Sequence, residues 1–260
     1  KEIRNMAKSY AFLEKKVLPQ LRRSVITVNY DQVGYSDDEL KNLVATNPDT
    51  LSLEEIIQAT LNEQDMNTQL KNYNNAARIY PNDWRIKNNT GYIMYMMGDN
   101  DGATKSFEEA LAITDNKIVS NNVAAVKHVS NGKSTDEIKS LLESSNTPES
   151  NYNIGLVQIE EGKYEESITS MGDTKSYNYA LANILAEHYD AASDAIDDLD
   201  LKDAKSYYLK AIIGARTSNT EMVMENLKMS FEKDASLKNM AKKDREFIKF
   251  FENSDFLAMF

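Results

Sequence analysis

Cysteine is missing altogether from the 260 residues, which excludes disulfides and thiolate metal sites and leaves the redox compartment open. Proline and glycine are scarce, at four and nine. Barrels and sandwiches rich in turns need more of both, so long helices are the expectation. No apolar run approaches the ~18 residues that a membrane-spanning helix requires. Positive charge is in deficit too, with a net charge of −11, which argues against broad binding to nucleic-acid phosphates.

What is present suits a folded protein. Hydrophobic residues make up 41% of the chain, enough at this length to bury a core. Charge is unevenly spread. Residues 149–200 hold twelve Asp/Glu against two Lys, a net of −10, whereas residues 1–25 are net +5. The acidic block reads as a solvated face or as a patch for a basic partner. "KEIRNMAKSY" begins without Met and already has helical character, so the chain is expected to be a piece of a longer protein.

Apolar residues at Ile3, Met6, Tyr10, Leu13 and Val17 have helical spacing and stop at Pro19. "RSVITVNY" alternates and is β-branched, so Ser24 to Tyr30 reads as a strand. From Ser36 onward helical signals follow one another, with "SDDEL" and "SLEE" as capping-box starts. Their regularity is that of a repeat. From Gly91 the spacing runs to Gly98, Ala103, Phe107 and Ala110. From Gly155 it recurs at Gly162, Ser167 and Met171, and from Ala211 at Ser218, Val223, Leu227 and Ser230. Ala180, Ala192 and Ile196 make a further copy, and Ala124 opens a decayed one.

Small residues at fixed places let antiparallel helices approach to ~8–10 Å, and the large apolar residue fills the groove between them. This spacing resembles the tetratricopeptide repeat, a helix–turn–helix unit. The resemblance implies an all-α, right-handed solenoid over residues 36–237, with five or six helix pairs in residues 50–233. Residues 238–260 would form a C-terminal capping helix and tail, and residues 1–35 the helix and strand of a preceding domain. The spacing shortens near Gly172, which should trim a helix there.

The order of segments is also similar to a group of Gram-negative envelope proteins in which an OmpA-like domain precedes tetratricopeptide repeats. "EIRNMAKSYAFLEKKVLPQLRRSVITVNYDQVGYSDDEL" resembles the end of the OmpA-like region. "LSLEEIIQATLN" with "YPNDWRIKNNTGYIMYMMGD" resembles the first repeats, and "YYLKAIIGARTSNTEMVMENLKMSFEKDASLKNMAKKDREFIKFF" the last. The resemblance implies a periplasmic, outer-membrane-associated location. It implies peptidoglycan contact only through sequence preceding this chain, and no site residue is carried over.

Several chemistries can be tested on the residues. "MGDNDGATKSFE" has the glycine and some acids of an EF-hand loop, with Asp99, Asp101 and Glu108 in ligand positions. Met97 stands where the first carboxylate belongs, and a thioether is a poor partner for Ca²⁺. "NGKS" at Asn131–Ser134 ends like a P-loop but lacks the earlier glycine. The two histidines, His128 and His188, fall in different repeats without ligand-spaced partners. Adjacent acids such as Glu160–Glu161 point apart on a helix. Neither a cofactor nor a metal is expected, and no catalytic residue is assigned.

The resemblance points instead to the concave face of the solenoid, lined by the first helix of each pair. Positions three before each small start, and one and four after it, project there. They are Asn88, Tyr92 and Tyr95; Asn121, Ala125 and His128; Tyr152, Leu156 and Ile159; Tyr177, Leu181 and Ile184; Tyr208, Ile212 and Ala215. Tyrosine combines apolar area with a hydrogen-bonding tip, so Tyr152, Tyr177 and Tyr208 are either a ladder of contact residues or packing between repeats. The expected function is a non-enzymatic scaffold of the envelope that binds a peptide or helix in this groove. The alternative is a module for a small glycan or muropeptide ligand.

Overall fold

A computed structural model describes residues 7–17, 34–132, 134–172, 174–199 and 201–260. The chain divides into two compact units, residues 1–39 and 40–260. In the first, helix α1 (Ala7–Phe12) runs on into a π-helical turn at Leu13–Val17. The strand expected at Ser24–Tyr30 lies outside the described residues, and no strand occurs among those that are described.

The second unit is built of helices. After α2 (Asp37–Thr46) come α3 (Leu53–Leu61) and α4 (Met66–Ile79), then α5 (Trp84–Met96) and α6 (Asn100–Leu111). Next are α7 (Lys117–Asn131) and α8 (Asp136–Ser145), followed by α9 (Pro148–Glu160) and α10 (Tyr164–Met171). The last pairs are α11 (Tyr177–Leu185) with α12 (Tyr189–Asp197), and α13 (Ala204–Arg216) with α14 (Thr220–Lys233). A cap follows: α15 (Leu237–Ala241), a 3₁₀ segment at Arg245–Phe250, and α16 (Ser254–Leu257). The described residues between 53 and 233 thus form six helix pairs. The helix that ends at Gly172, α10, is short, with eight residues against twelve in α6.

Local sequence fixes where these helices start. Asp65, Asp83, Asp99, Asn116, Thr135, Ser176, Asp203 and Asn219 each accept a backbone N–H of the helix that follows. Such a cap contributes ~1 kcal/mol. Ser52 and Glu55 form a full capping box. Asp99, a calcium candidate by sequence, is therefore a helix cap. Glu108, another, is held by Lys127 at 2.7 Å.

Packing within each pair follows the repeat spacing. A Cβ on Gly91 would lie 2.9 Å from the Phe107 ring, and one on Gly155 would lie 2.5 Å from Met171 Cγ. Ala180 and Ile196 share one buried cluster, and Ala211 and Leu227 share another. In all four pairs the small residue and its large partner are sixteen positions apart. The decayed copy departs from this: Ala124 packs with Ile138 and Leu142, while the residue sixteen on, Ser140, is exposed. Buried serines add cross-links, since Ser167 Oγ donates to the Gly155 carbonyl and Ser230 Oγ to that of Ala204, each at 2.8 Å.

Candidate inner-face interaction site

The first helices of successive pairs touch one another, α7 with α9 and α11 with α13. They form the more closely spaced, inner layer of the solenoid. A row of polar side chains joins α5, α7, α9 and α11. Asn89 Nδ2 donates to Tyr73 Oη at 3.2 Å, and Asn122 Nδ2 donates to Asn88 Oδ1 at 2.8 Å. Asn153 Nδ2 donates to Asn121 Oδ1 at 2.9 Å, and Asn178 Nδ2 to Tyr152 Oη at 2.8 Å. In the last three of these bonds the asparagine two before a small start donates to the residue three before the start of the preceding repeat, whereas Tyr73 lies on the second helix α4.

This ladder decides the role of the row containing the expected tyrosines. Asn88, Asn121 and Tyr152 are acceptors for the next repeat, and Asn121 is buried. Tyr177 is half-buried; burial, with the charge of Asp203 on the next pair behind it, raises its phenol above the usual tyrosine value. Tyr208 is only 4% exposed. Its hydroxyl donates to Asp244 Oδ2 at 2.8 Å and its ring meets Phe247 edge-on at 5.5 Å. Burial first, and the Asp244 carboxylate second, push its pKa upward. Tyr208 faces the cap, not solvent, and cannot meet a partner without unseating it. The cap thus plays at α13 the part that the next repeat's asparagine plays elsewhere.

The rows one and four after each start behave differently. Tyr92 and Tyr95 are 54% and 41% exposed. With Asn122 and Ala125 they line a hollow of about 220 Å³. A second hollow, of about 410 Å³, is formed by α7, α9 and α11, with Val129, Leu156, Ile159 and Leu181 as its apolar lining. His128 and Glu160 sit at its border, paired Nε2 to Oε1 at 2.8 Å. The last repeat is closed over on this face, with Ala215 buried.

The donors of this row, Asn89, Asn122, Asn153 and Asn178, were not among the residues singled out by sequence, although the acceptors Asn88 and Asn121 were. Their signal was there, in the doublets Asn88–Asn89, Asn121–Asn122, Tyr152–Asn153 and Tyr177–Asn178. His188, the other histidine, pairs with Glu165 at 3.2 Å, again between neighbouring helix pairs. Among the described residues no group of His, Asp and Glu is arranged to hold a metal ion, and no helix is long and apolar enough to cross a membrane.

The chain matches no protein-family model and no curated protein. It is similar in fold to solved helical-repeat structures. The APC/C hetero-tetramer Cut9–Hcn1 superposes with a TM-score of 0.66 at 14% identity, over 82% of this chain. The chain spans 44% of the length of that relative. PilW, a type IV pilus biogenesis factor, gives 0.58 at 15% identity, covering 78% of this chain and 98% of its own. PilF of Pseudomonas aeruginosa gives 0.54 at 15% identity, covering 82% and 97%. At such identities the likeness establishes the fold: an α-solenoid of tetratricopeptide-type helix pairs.

Proposed function

We propose that this chain is a non-catalytic scaffold that holds a protein partner, as a peptide or helix, against the inner layer of first helices. One observation carries the reading. At the +1 and +4 rows Tyr92 and Tyr95 are exposed and Leu156, Ile159 and Leu181 line an open hollow, although Ile184 and Ala215 are buried, while the polar groups between the rows are already satisfied by one another. Tyr92 and Tyr95 could have packed inward; instead they stand out beside Ala125. Exposed aromatics beside apolar hollows are how interfaces concentrate their binding energy. The fold supports the same reading, since the Cut9–Hcn1 neighbour was solved as a hetero-tetramer.

The resemblance of the sequence to envelope proteins extends the proposal to a periplasmic setting, which fractionation of the native cells tests. Photo-crosslinking residues placed at Tyr92 and Leu156 test the face itself, with Lys105 and Glu143 on the second helices as controls. Crosslinks to a protein from the inner positions alone are expected. Equal or stronger products from the control positions would contradict the proposal. A thermal shift with muropeptides and no protein crosslink would replace the partner with a small ligand.

A further inference from the structure

Where the cap meets α14, one hollow stays open. Lys228, Phe231 and Glu232, at i, i+3 and i+4, share one face of α14. With Lys238 of α15 and Met259 beyond α16 they line a hollow of about 320 Å³, a volume at the small end of small-molecule sites. The hollow belongs to a second helix and the cap, so it is independent of the inner-face reading.

Its floor is aromatic and its rim is cationic. Phe231 is buried and packs against Phe260, with ring centroids 5.6 Å apart. Two lysines stand over these rings. Lys238 Nζ is 5.8 Å from the Phe231 centroid, and Lys242 Nζ is 5.0 Å from that of Phe260. Lys228 is exposed on the α14 side. None of the three lysines is in an ion pair among the described residues. Glu232 is the one carboxylate in the lining. It lies a single turn from Lys228 on α14 and can neutralise at most one of the three cations. Two acids of the cap are turned elsewhere, Asp244 to Tyr208 and Glu246 to Arg216. The hollow is therefore locally positive in a chain whose net charge is −11.

We propose that this hollow binds a small apolar carboxylate of the alkyl-carboxylate class. Lys238 and Lys242 are four residues apart, so their ammonium groups lie on one side of a helical turn and can share one carboxylate. The hydrocarbon of the ligand then covers Phe231 and Met259, and each methylene that leaves water adds about fourfold in affinity. Charge over the whole chain repels anions, so a preference for carboxylate is a property of the hollow alone.

The test follows the carbon-13 methyl signals of methionine in the 260-residue chain by NMR, with the Met259 signal assigned through Met259→Leu. The probes are octanoate, hexanoate, octanol and octylammonium. Octanoate is expected to shift the Met259 signal with a Kd at least tenfold lower than that of octanol or octylammonium. Hexanoate, two methylenes shorter, should bind about tenfold more weakly than octanoate. Lys238→Gln with Lys242→Gln should weaken octanoate at least fivefold, with the dispersion of the other methionine signals reporting that the chain is folded. Glu232→Gln removes the opposing charge at an exposed position and should strengthen octanoate. Octanol binding as tightly as octanoate, or octylammonium more tightly, would overturn the anionic ligand. Equal shifts at the exposed Met96, Met97 and Met240 would mean adsorption to apolar surface and overturn the site. Tighter binding at Met259 by the peptide acetyl-Leu-Leu-Asp would assign the hollow to a protein partner and overturn the small ligand. No shift of Met259 at millimolar octanoate overturns the proposal outright.

Discussion

Residue by residue, the repeat is kept by a few positions where only one kind of side chain suits the backbone. The residue seven after the start has positive φ in four copies: 83° at Gly98, 75° at Gly162, 65° at Glu187 and 59° at Ser218. The first two are glycines and the last two are not. An L-residue in this region costs ~1–2 kcal/mol, partly offset by the extra chain entropy of glycine when unfolded. Ser218→Gly should therefore raise stability by about 0.5–1 kcal/mol, and Gly98→Ala should lower it by about 1 kcal/mol. Denaturant melts of the two variants check both signs. The turn glycines were legible as part of the motif, whereas the strained Glu187 and Ser218 emerge only from the backbone. The tyrosines show the opposite limit. Spacing put Tyr152, Tyr177 and Tyr208 on the right helices, but spacing cannot say that Asn178 and Asp244 come from the next element to cover two of them.

At the scale of the element, the asparagine row acts as a register device between neighbouring first helices. The amides of Asn122, Asn153 and Asn178 are each matched to one acceptor a repeat away, so a slip of one helix would leave part-buried amides unpaired at ~1–3 kcal/mol apiece. A double-mutant cycle of Asn88→Ala and Asn122→Ala should return a coupling of about 0.5–1.5 kcal/mol. A coupling near zero would mean that the amides merely share the surface. The last pair uses charge for the same purpose. Arg216 grips Glu246 of the cap with two bonds, Nε to Oε2 at 2.8 Å and Nη2 to Oε1 at 2.6 Å. Arg216 holds the Glu246 carboxyl below its ordinary pKa, against a smaller upward push from burial. A depressed folded-state pKa gives stability that is present above the unfolded value and is lost as pH falls through the folded one. The stability difference between the parent chain and Glu246→Gln should therefore be largest at neutral pH and shrink through the acid range below pH ~4.3. Melts at pH 7 and pH 3 measure it.

Across the whole repeat unit, stability is a sum over pairs and the contacts between neighbours, as in any solenoid. This is why the sequence told so much of the fold. A start and its partner sixteen residues on are local features, and six such units stacked in order leave little topology to choose. The decayed copy at Ala124 was the hardest to read, because α7, at fifteen residues, is two longer than α5, α9 or α13, and the packing of α8 shifts to Ile138 and Leu142. The site was less legible than the fold, since all three candidate rows lie on the same helices. What separates them is burial: one row is spent on the repeat interface, and the other two stay open in the earlier repeats but are buried at Ile184 and Ala215.

That separation is the central claim, and one comparison tests it most directly. With the partner found by crosslinking in hand, its affinity is measured for two folded variants, Tyr92→Ser with Leu156→Ser and Tyr152→Phe with Tyr208→Phe. The account predicts at least a tenfold loss, ~1.4 kcal/mol, for the first and no change for the second. Loss of binding in the second variant with full affinity in the first would contradict it.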